Sequence, residues 1–140
     1  MNDVAKRLGM QQTYFVNESG VDEGGEVSGS YGSAKDTANL LSYLFKRYPD
    51  MLERTKEPTL LFASEEFTHE GINTNTEITK LPQVLASKTG FTDLAGGNLA
   101  VVVDVGLNHP VVIVVLGSSK EGRFSDVEFL AWASVDTLGQ

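Results

Sequence analysis

The residues with the most chemistry to offer are Lys88, Thr89 and Gly90, in the run Ser87-Lys88-Thr89-Gly90-Phe91-Thr92. The pattern places an ammonium, a hydroxyl and a bare backbone unit in succession at the end of a strand. Such an edge can pair with an extended peptide while presenting a cation and a hydroxyl donor to it. Gly90, without a side chain, lets a ligand or a neighbouring strand approach the backbone closely. Taken alone, the triplet also has a plainer reading, a strand end with a solvated lysine. Other chemistries lack their residues. His69 and His109 stand apart with no second ligand four residues on, so both are expected in exposed loops rather than at zinc. Gly96-Gly97 has no partner at phosphate-loop spacing. No serine sits in a Gly-x-Ser-x-Gly elbow, and Glu65-Glu66 reads as a solvated turn. The chain has no cysteine, which excludes thiol catalysis, disulfides and cysteine-zinc sites. No metal or cofactor is expected.

The elements that must hold the triplet follow from periodicity. Val84 to Thr89 reads as a strand. Leu99 to Val105 and Val111 to Leu116 are β-branched runs joined by Gly106-Leu107-Asn108-His109-Pro110, two antiparallel strands apolar enough to be covered on both faces. Gly122 to Leu138 is a helix, with Phe124, Val127, Leu130, Ala131, Val135 and Leu138 as the stripe for the sheet and Trp132 toward its edge. Upstream, Ser33 caps a helix that Tyr48-Pro49 ends, and Asp36 suits the positive end of its dipole. Asn2 to Leu8 is a short helix capped by Asn2, with Val4, Ala5 and Leu8 on one face and Gly9 as its stop. Thr13 to Gly32 reads as a long loop. Pro49 to Arg54 adds a turn of helix. Thr59–Ala63 and Glu66–His69 form a hairpin around Ser64-Glu65, and Asn73-Thr74-Asn75 is a polar turn. The fold class is therefore α+β, an antiparallel sheet packed against helices.

The length of 140 residues suits one domain, and 41% hydrophobic with 21% charged residues suits a globular one. The net charge of −8 opposes nucleic acid and anionic membranes. Any anion site must then be a local exception built from a few bases. The longest apolar stretch is broken by Asp104, Gly106 and His109, so no membrane span is expected. Asn2, Asp3 and Lys6 occupy the place of an apolar leader, so an export signal, where one exists, is expected upstream.

The triplet lies in a longer ordered pattern. It begins at Met1-Asn2-x-x-Ala5-x-x-Leu8-Gly9-Met10 and continues through Thr13-x-Phe15-x-Asn17-x-Ser19-Gly20-Val21-Asp22. Ser33-Ala34-x-Asp36-x-Ala38-x-Leu40, Asn73-Thr74-Asn75 and Lys88-Thr89-Gly90-Phe91-Thr92 follow, then Gly122-Arg123-Phe124-x-Asp126 and Leu130-x-Trp132. In this order and over nearly the whole chain, the pattern resembles the D-alanyl-D-alanine carboxypeptidases, low-molecular-mass penicillin-binding proteins whose signature set includes Lys-Thr-Gly. The resemblance implies the C-terminal portion (1–140) of one catalytic domain of β-lactamase/transpeptidase-like fold. Residues 1–56 would be mainly helix and cleft loop, and 57–140 sheet and C-terminal helix. In that family a serine of Ser-x-x-Lys attacks the carbonyl between two terminal D-alanines, and water releases the acyl-enzyme.

By resemblance, Lys88 handles protons and charge near the nucleophile, and Thr89 hydrogen-bonds the substrate carboxylate. The strand from Gly90 through Phe91 and Thr92 lines the cleft and contributes to the oxyanion hole. Arg123 would be a second cation for the carboxylate, its planar fork suiting that group. Its alternative is a surface salt bridge. Ser19 would border the cleft, Ser33 and Asp36 cap a helix, and Asn73 and Asn75 satisfy a turn.

No serine in the sequence begins Ser-x-x-Lys, and no Ser-x-Asn is present. The expectation is a portion lacking the N-terminal strands and the nucleophile helix, unable to acylate alone, with exposed apolar surface inviting self-association or its missing half. Its partners would be stem peptides ending in D-Ala-D-Ala and, in the complete enzyme, β-lactams, at an extracytoplasmic location. Two other readings stay open: a non-catalytic peptidoglycan- or partner-binding module, and an interaction domain whose Lys-Thr-Gly is only a strand end.

Overall fold

The computed structural model describes residues 1–139. Its centre is β6 (Gly96–Asp104), which runs antiparallel between β5 (Val84–Thr92) and β7 (Pro110–Ser118) in a three-stranded sheet of order β5-β6-β7. Successive side chains of a strand point to opposite faces, and β6 is apolar on both. Leu99, Val101 and Val103 join Val105, Ile113 and Leu81 beneath Val127 and Ala131 of helix α4 (Gly122–Leu138). Ala100 and Val102 join Ala86 on the other face, beneath Leu41 of helix α2 (Ala34–Arg47). Val101, Val102 and Val103 are all fully buried. At about 1.5–3 kcal/mol for each buried side chain of this size, this strand anchors both helices to one sheet.

The strands run further than the apolar pattern indicates. β5 continues to Thr92 and β6 begins at Gly96, with Lys88↔Ala100, Thr89↔Leu99 and Gly90↔Asn98 in register. Lys88-Thr89-Gly90 therefore lies inside a strand rather than running off its end. Gly96 and Gly97 have low strand propensity and no apolar side chain to reveal the pairing. Along α4, Phe124, Val127, Ala131 and Val135 meet the sheet, whereas Leu130 and Leu138 are 41% and 45% exposed. These two lie on the flank of the stripe, beyond what a sheet of three strands can cover. Trp132 reaches the edge, where its indole N–H donates to the Lys80 carbonyl at 3.3 Å.

At the N-terminus, α1 (Asn2–Arg7) buries Ala5 and leaves Val4 exposed. Asn2 is not its cap. The Asn2 amide instead donates to the Phe15 carbonyl and accepts from the Phe15 N–H, both at 2.8 Å, in the manner of a strand partner. Inside the long loop, β1 (Tyr14–Phe15) pairs antiparallel with β2 (Ser30–Tyr31). Ser33 caps α2 through the Asp36 N–H at 3.2 Å. Asp36 does more than favour a helix dipole. It is 3% exposed, and its carboxylate accepts from the Gln12 N–H at 2.7 Å and the Thr13 hydroxyl at 2.9 Å, pinning the loop to α2.

Helix α3 (Pro49–Glu53) and a 3₁₀ turn (Arg54–Lys56) lead into the hairpin β3 (Thr59–Ala63) and β4 (Thr68–Ile72). The turn spans Ser64 to Phe67, so β4 starts two residues later than the sequence suggests and continues to Ile72. Ser64 closes it by accepting from the Phe67 N–H at 3.2 Å. His69 thus stands on a strand, exposed, with Nε2 3.1 Å from the Ser64 hydroxyl.

Candidate functional site

The Ser87 N–H donates to the Thr55 hydroxyl at 3.1 Å, away from the sheet. Backbone groups alternate sides along a strand, so those of Thr89 and Phe91 share that outward edge. The side chains divide between the faces. Lys88 pairs with Ala100 and shares the α2 face, while Thr89 pairs with Leu99 and shares the α4 face with Phe91. Lys88 curls back to the edge, where its ammonium donates to the Thr89 carbonyl. Gly90 has an ordinary extended backbone, and a Cβ there would meet only Asn98 Cβ at 3.6 Å. The packing of the chain therefore does not itself demand glycine at this position.

Arg123 comes to this strand from α4. It is 6% exposed and makes no ion pair among the described residues, which speaks against the surface salt-bridge reading. Its Nη1 donates to the Gly90 carbonyl at 2.7 Å, its guanidinium lies 4.6 Å from the Phe124 ring centroid, and its buried Nε has no hydrogen-bond partner among the described residues. Gly97 is what brings the helix so near. A Cβ at that position would lie 2.0 Å from the Ser119 carbonyl oxygen, so only glycine lets the loop before α4 press on β6. Lys120, in the same loop, sits 5.4 Å above the Phe91 ring.

The segment after β4 closes the outer edge. The Asn73 side chain donates to the Thr55 and Glu57 carbonyls, both at 2.9 Å, and accepts from the Asn75 N–H at 2.9 Å. Asn75 is 1% exposed and donates to the Ser87 hydroxyl at 2.9 Å. Between them the Thr74 hydroxyl is 2.6 Å from that of Thr89. Two grooves meet at Thr74. One, of about 590 Å³, runs past Arg123, Lys120 and Glu128. The other, of about 290 Å³, runs past Lys88, Thr89 and Phe62.

The structure thus sets Lys88, Thr89, Gly90 and Phe91 along β5 and bonds Arg123 to the Gly90 carbonyl, with Lys88 on the face opposite to Thr89 and α4. Thr92 and Ser19 are placed differently. The Thr92 hydroxyl donates to Asp22 at 2.9 Å, and Asp22 also accepts from the Leu94 N–H at 3.2 Å, which ties the long loop to the β5–β6 turn. Ser19 is exposed, its hydroxyl donating to Asn17 at 3.1 Å and accepting from the Val21 N–H at 3.2 Å, with no hydrogen bond to Lys88, Thr89 or Arg123. The sequence reading passes over Thr74. Its signal was the pair of flanking asparagines, which mark a residue held in a fixed position.

Comparison with known proteins bears on this arrangement. A family model described as D-alanyl-D-alanine carboxypeptidase, Peptidase_S11, matches residues 1–120. The D-alanyl-D-alanine endopeptidase of Escherichia coli K12 is 33% identical over 134 residues, 93% of this chain and 41% of that protein. The D-alanyl-D-alanine carboxypeptidase DacB2 of Mycobacterium tuberculosis is 28% identical over 125 residues, 87% of this chain and 41% of that protein. Penicillin-binding protein D2 of Listeria monocytogenes, solved in its ampicillin-bound form, superposes with a TM-score of 0.77 at 33% identity, over 92% of this chain and 51% of that one. The fold is the β-lactamase/transpeptidase-like fold of these penicillin-binding proteins, and the chain spans less than half the length of the curated relatives it matches.

Proposed function

Because the chain belongs to the D-alanyl-D-alanine carboxypeptidase family, we propose that it forms the substrate-binding edge of a serine-type enzyme that removes the last D-alanine from peptidoglycan stem peptides. The observation that carries this reading is the bond from buried Arg123 to the Gly90 carbonyl, one residue from Thr89 on the same sheet face. A C-terminal carboxylate seated at Thr74, where the Arg123 groove meets the Thr89 groove, meets a fixed cation and a hydroxyl donor in partly desolvated surroundings, where charge-assisted hydrogen bonds are strongest. The peptide backbone pairs with the outward groups of Thr89 and Phe91. The Phe91 N–H then stabilises negative charge on the carbonyl under attack. Lys88, on the α2 face, serves the side from which the serine approaches.

The 140 residues hold no Ser-x-x-Lys, so the attacking serine and its activating lysine come from sequence outside them, and the chain alone does not acylate. The unpaired edge of β7 and the exposed Phe129 of α4 are where the remainder of the catalytic domain, or another copy, packs. The complete enzyme works outside the cytoplasm, where its substrate is. The same missing motif favours a second reading, a non-catalytic module that binds stem peptides at this edge.

Fluorescent penicillin separates these readings. The chain alone takes no covalent label under either, and labelling would place the nucleophile within it. The natural full-length protein is labelled if it is the enzyme and unlabelled if it is the module. Under both, calorimetry detects a peptide ending in D-Ala-D-Ala, and Arg123→Ala abolishes that binding. Retained binding in that variant would refute the carboxylate seat.

A further inference from the structure

We infer that Thr74 is a positioning and specificity residue of the carboxylate seat, setting the hydroxyl of Thr89 and making the pair a donor that selects a free carboxylate over a blocked C-terminus. The inference rests on the proposed function and goes beyond it, since it names what distinguishes the ligand's end.

Two hydroxyl oxygens 2.6 Å apart share one proton between them. One threonine donates, and the proton of the other is left to point elsewhere. Whichever donates, the pair offers one free O–H, that of the threonine accepting the shared bond, and accepting that bond polarises it. A carboxylate is an acceptor at both oxygens. It therefore takes the free O–H and the Arg123 guanidinium together. A C-terminal amide brings an NH₂ donor to a place already furnished with donors, so one of its contacts is repulsive.

The local structure fits this role better than a purely structural one. Thr74 is itself exposed, yet both of its neighbours are tied down. Asn73 is held to Thr55 and Glu57, and Asn75 is buried against Ser87 with its Oδ1 left without a partner. Burying an asparagine with an unsatisfied oxygen is costly, and what it fixes is the position of the Thr74 hydroxyl opposite Thr89. Thr74 also lines both grooves, so a ligand crossing from one to the other passes it. Without that hydroxyl, the Thr89 O–H turns freely among its staggered positions.

The test uses the 140-residue chain with two acetylated peptides ending in D-Ala-D-Ala, one with a free C-terminal carboxylate and one amidated, titrated by NMR at the amides of Thr89, Gly90 and Phe91. The wild-type chain prefers the carboxylate. Thr74→Val, matched in shape, leaves the Thr89 O–H unpositioned and unpolarised and weakens the carboxylate peptide about tenfold, an effect comparable to one hydrogen bond to a charged group, while leaving the amidated peptide unchanged. Thr74→Ser restores the preference. Equal weakening of both peptides, or wild-type affinity for the carboxylate in Thr74→Val, overturns the inference. If Thr89→Val or Arg123→Ala still removes the preference in that case, the carboxylate seat stands without Thr74. No preference in the wild-type chain overturns both the inference and the seat.

Discussion

Replacing Gly90 with alanine separates stability from binding at the centre of the strand edge. The added Cβ meets Asn98 Cβ at 3.6 Å, ordinary van der Waals contact, and Gly90 is not among the glycines with positive φ. Nothing in the chain resists the methyl group. The unfolded chain meanwhile loses backbone freedom, which stabilises a compatible site by about 0.4–1 kcal/mol. For a domain of this size that raises Tm by about 1–4 °C. Binding responds the other way. The methyl group lies beside Lys88 on the α2 face, where a peptide pairing along the edge of β5 must approach the backbone. The expected outcome is Gly90→Ala that melts at or slightly above wild type while its affinity for a peptide ending in D-Ala-D-Ala falls about tenfold or more, as for an overpacked contact of about 1–3 kcal/mol. Thermal melting by circular dichroism and calorimetric titration on the same preparation read both quantities. A variant destabilised by more than 1 kcal/mol, or one that binds as wild type, would refute the argument that glycine is kept there for the ligand.

Three further outcomes follow from particular contacts. Gly97→Ala drives a Cβ to within 2.0 Å of the Ser119 carbonyl. It should cost about 1–3 kcal/mol in urea unfolding and shift the Arg123 resonances as the start of α4 moves. Asp36→Ala leaves the Gln12 N–H and Thr13 hydroxyl without their acceptor. A loss of about 2–4 kcal/mol is expected, with early proteolytic cutting between residues 13 and 32. Asp104 accepts from the Gly106 and His109 N–H groups at 2.9 Å each, and these bonds, that from Gly106 foremost, hold its carboxyl below the usual range. A depressed folded pKa contributes stability above the unfolded value that is lost as pH falls through the folded one. Asp104→Asn should therefore be less stable than wild type at neutral pH, with the gap closing as pH drops below about 4.

What the sequence discloses and conceals has a physical pattern. The β-branched runs of β6 and β7 and the stripe of α4 are legible because burial on two sheet faces imposes apolar periodicity over many residues. So is the Ser33 cap, a local interaction. The N-terminal reach of β6 is hidden because Gly96 and Gly97 pair through backbone alone. The roles of Asn2 and Asp36 are hidden as well, because their partners, Phe15 and the Gln12–Thr13 segment, are distant in sequence and no periodicity marks such bonds. At the site, Lys88-Thr89-Gly90 and Arg123 stand out by residue type and order. That Lys88 takes the opposite face from Thr89 and Arg123 follows from the register. That Thr74 meets Thr89 depends on how the hairpin folds back: the flanking asparagines mark a held residue but not its partner. Gly97, by contrast, is a glycine whose reason is visible only once Ser119 is seen against it.

The most direct measurement follows the Arg123 Nε–H and the Thr89, Gly90 and Phe91 amides by NMR in the isotope-labelled chain as a peptide ending in D-Ala-D-Ala is added. These four signals should move together along one saturable curve, with the Arg123 Nε–H shifting furthest as the carboxylate arrives. Movement of the strand amides with Arg123 unmoved, or shifts confined to the β3–β4 hairpin, would contradict a carboxylate seat at this edge.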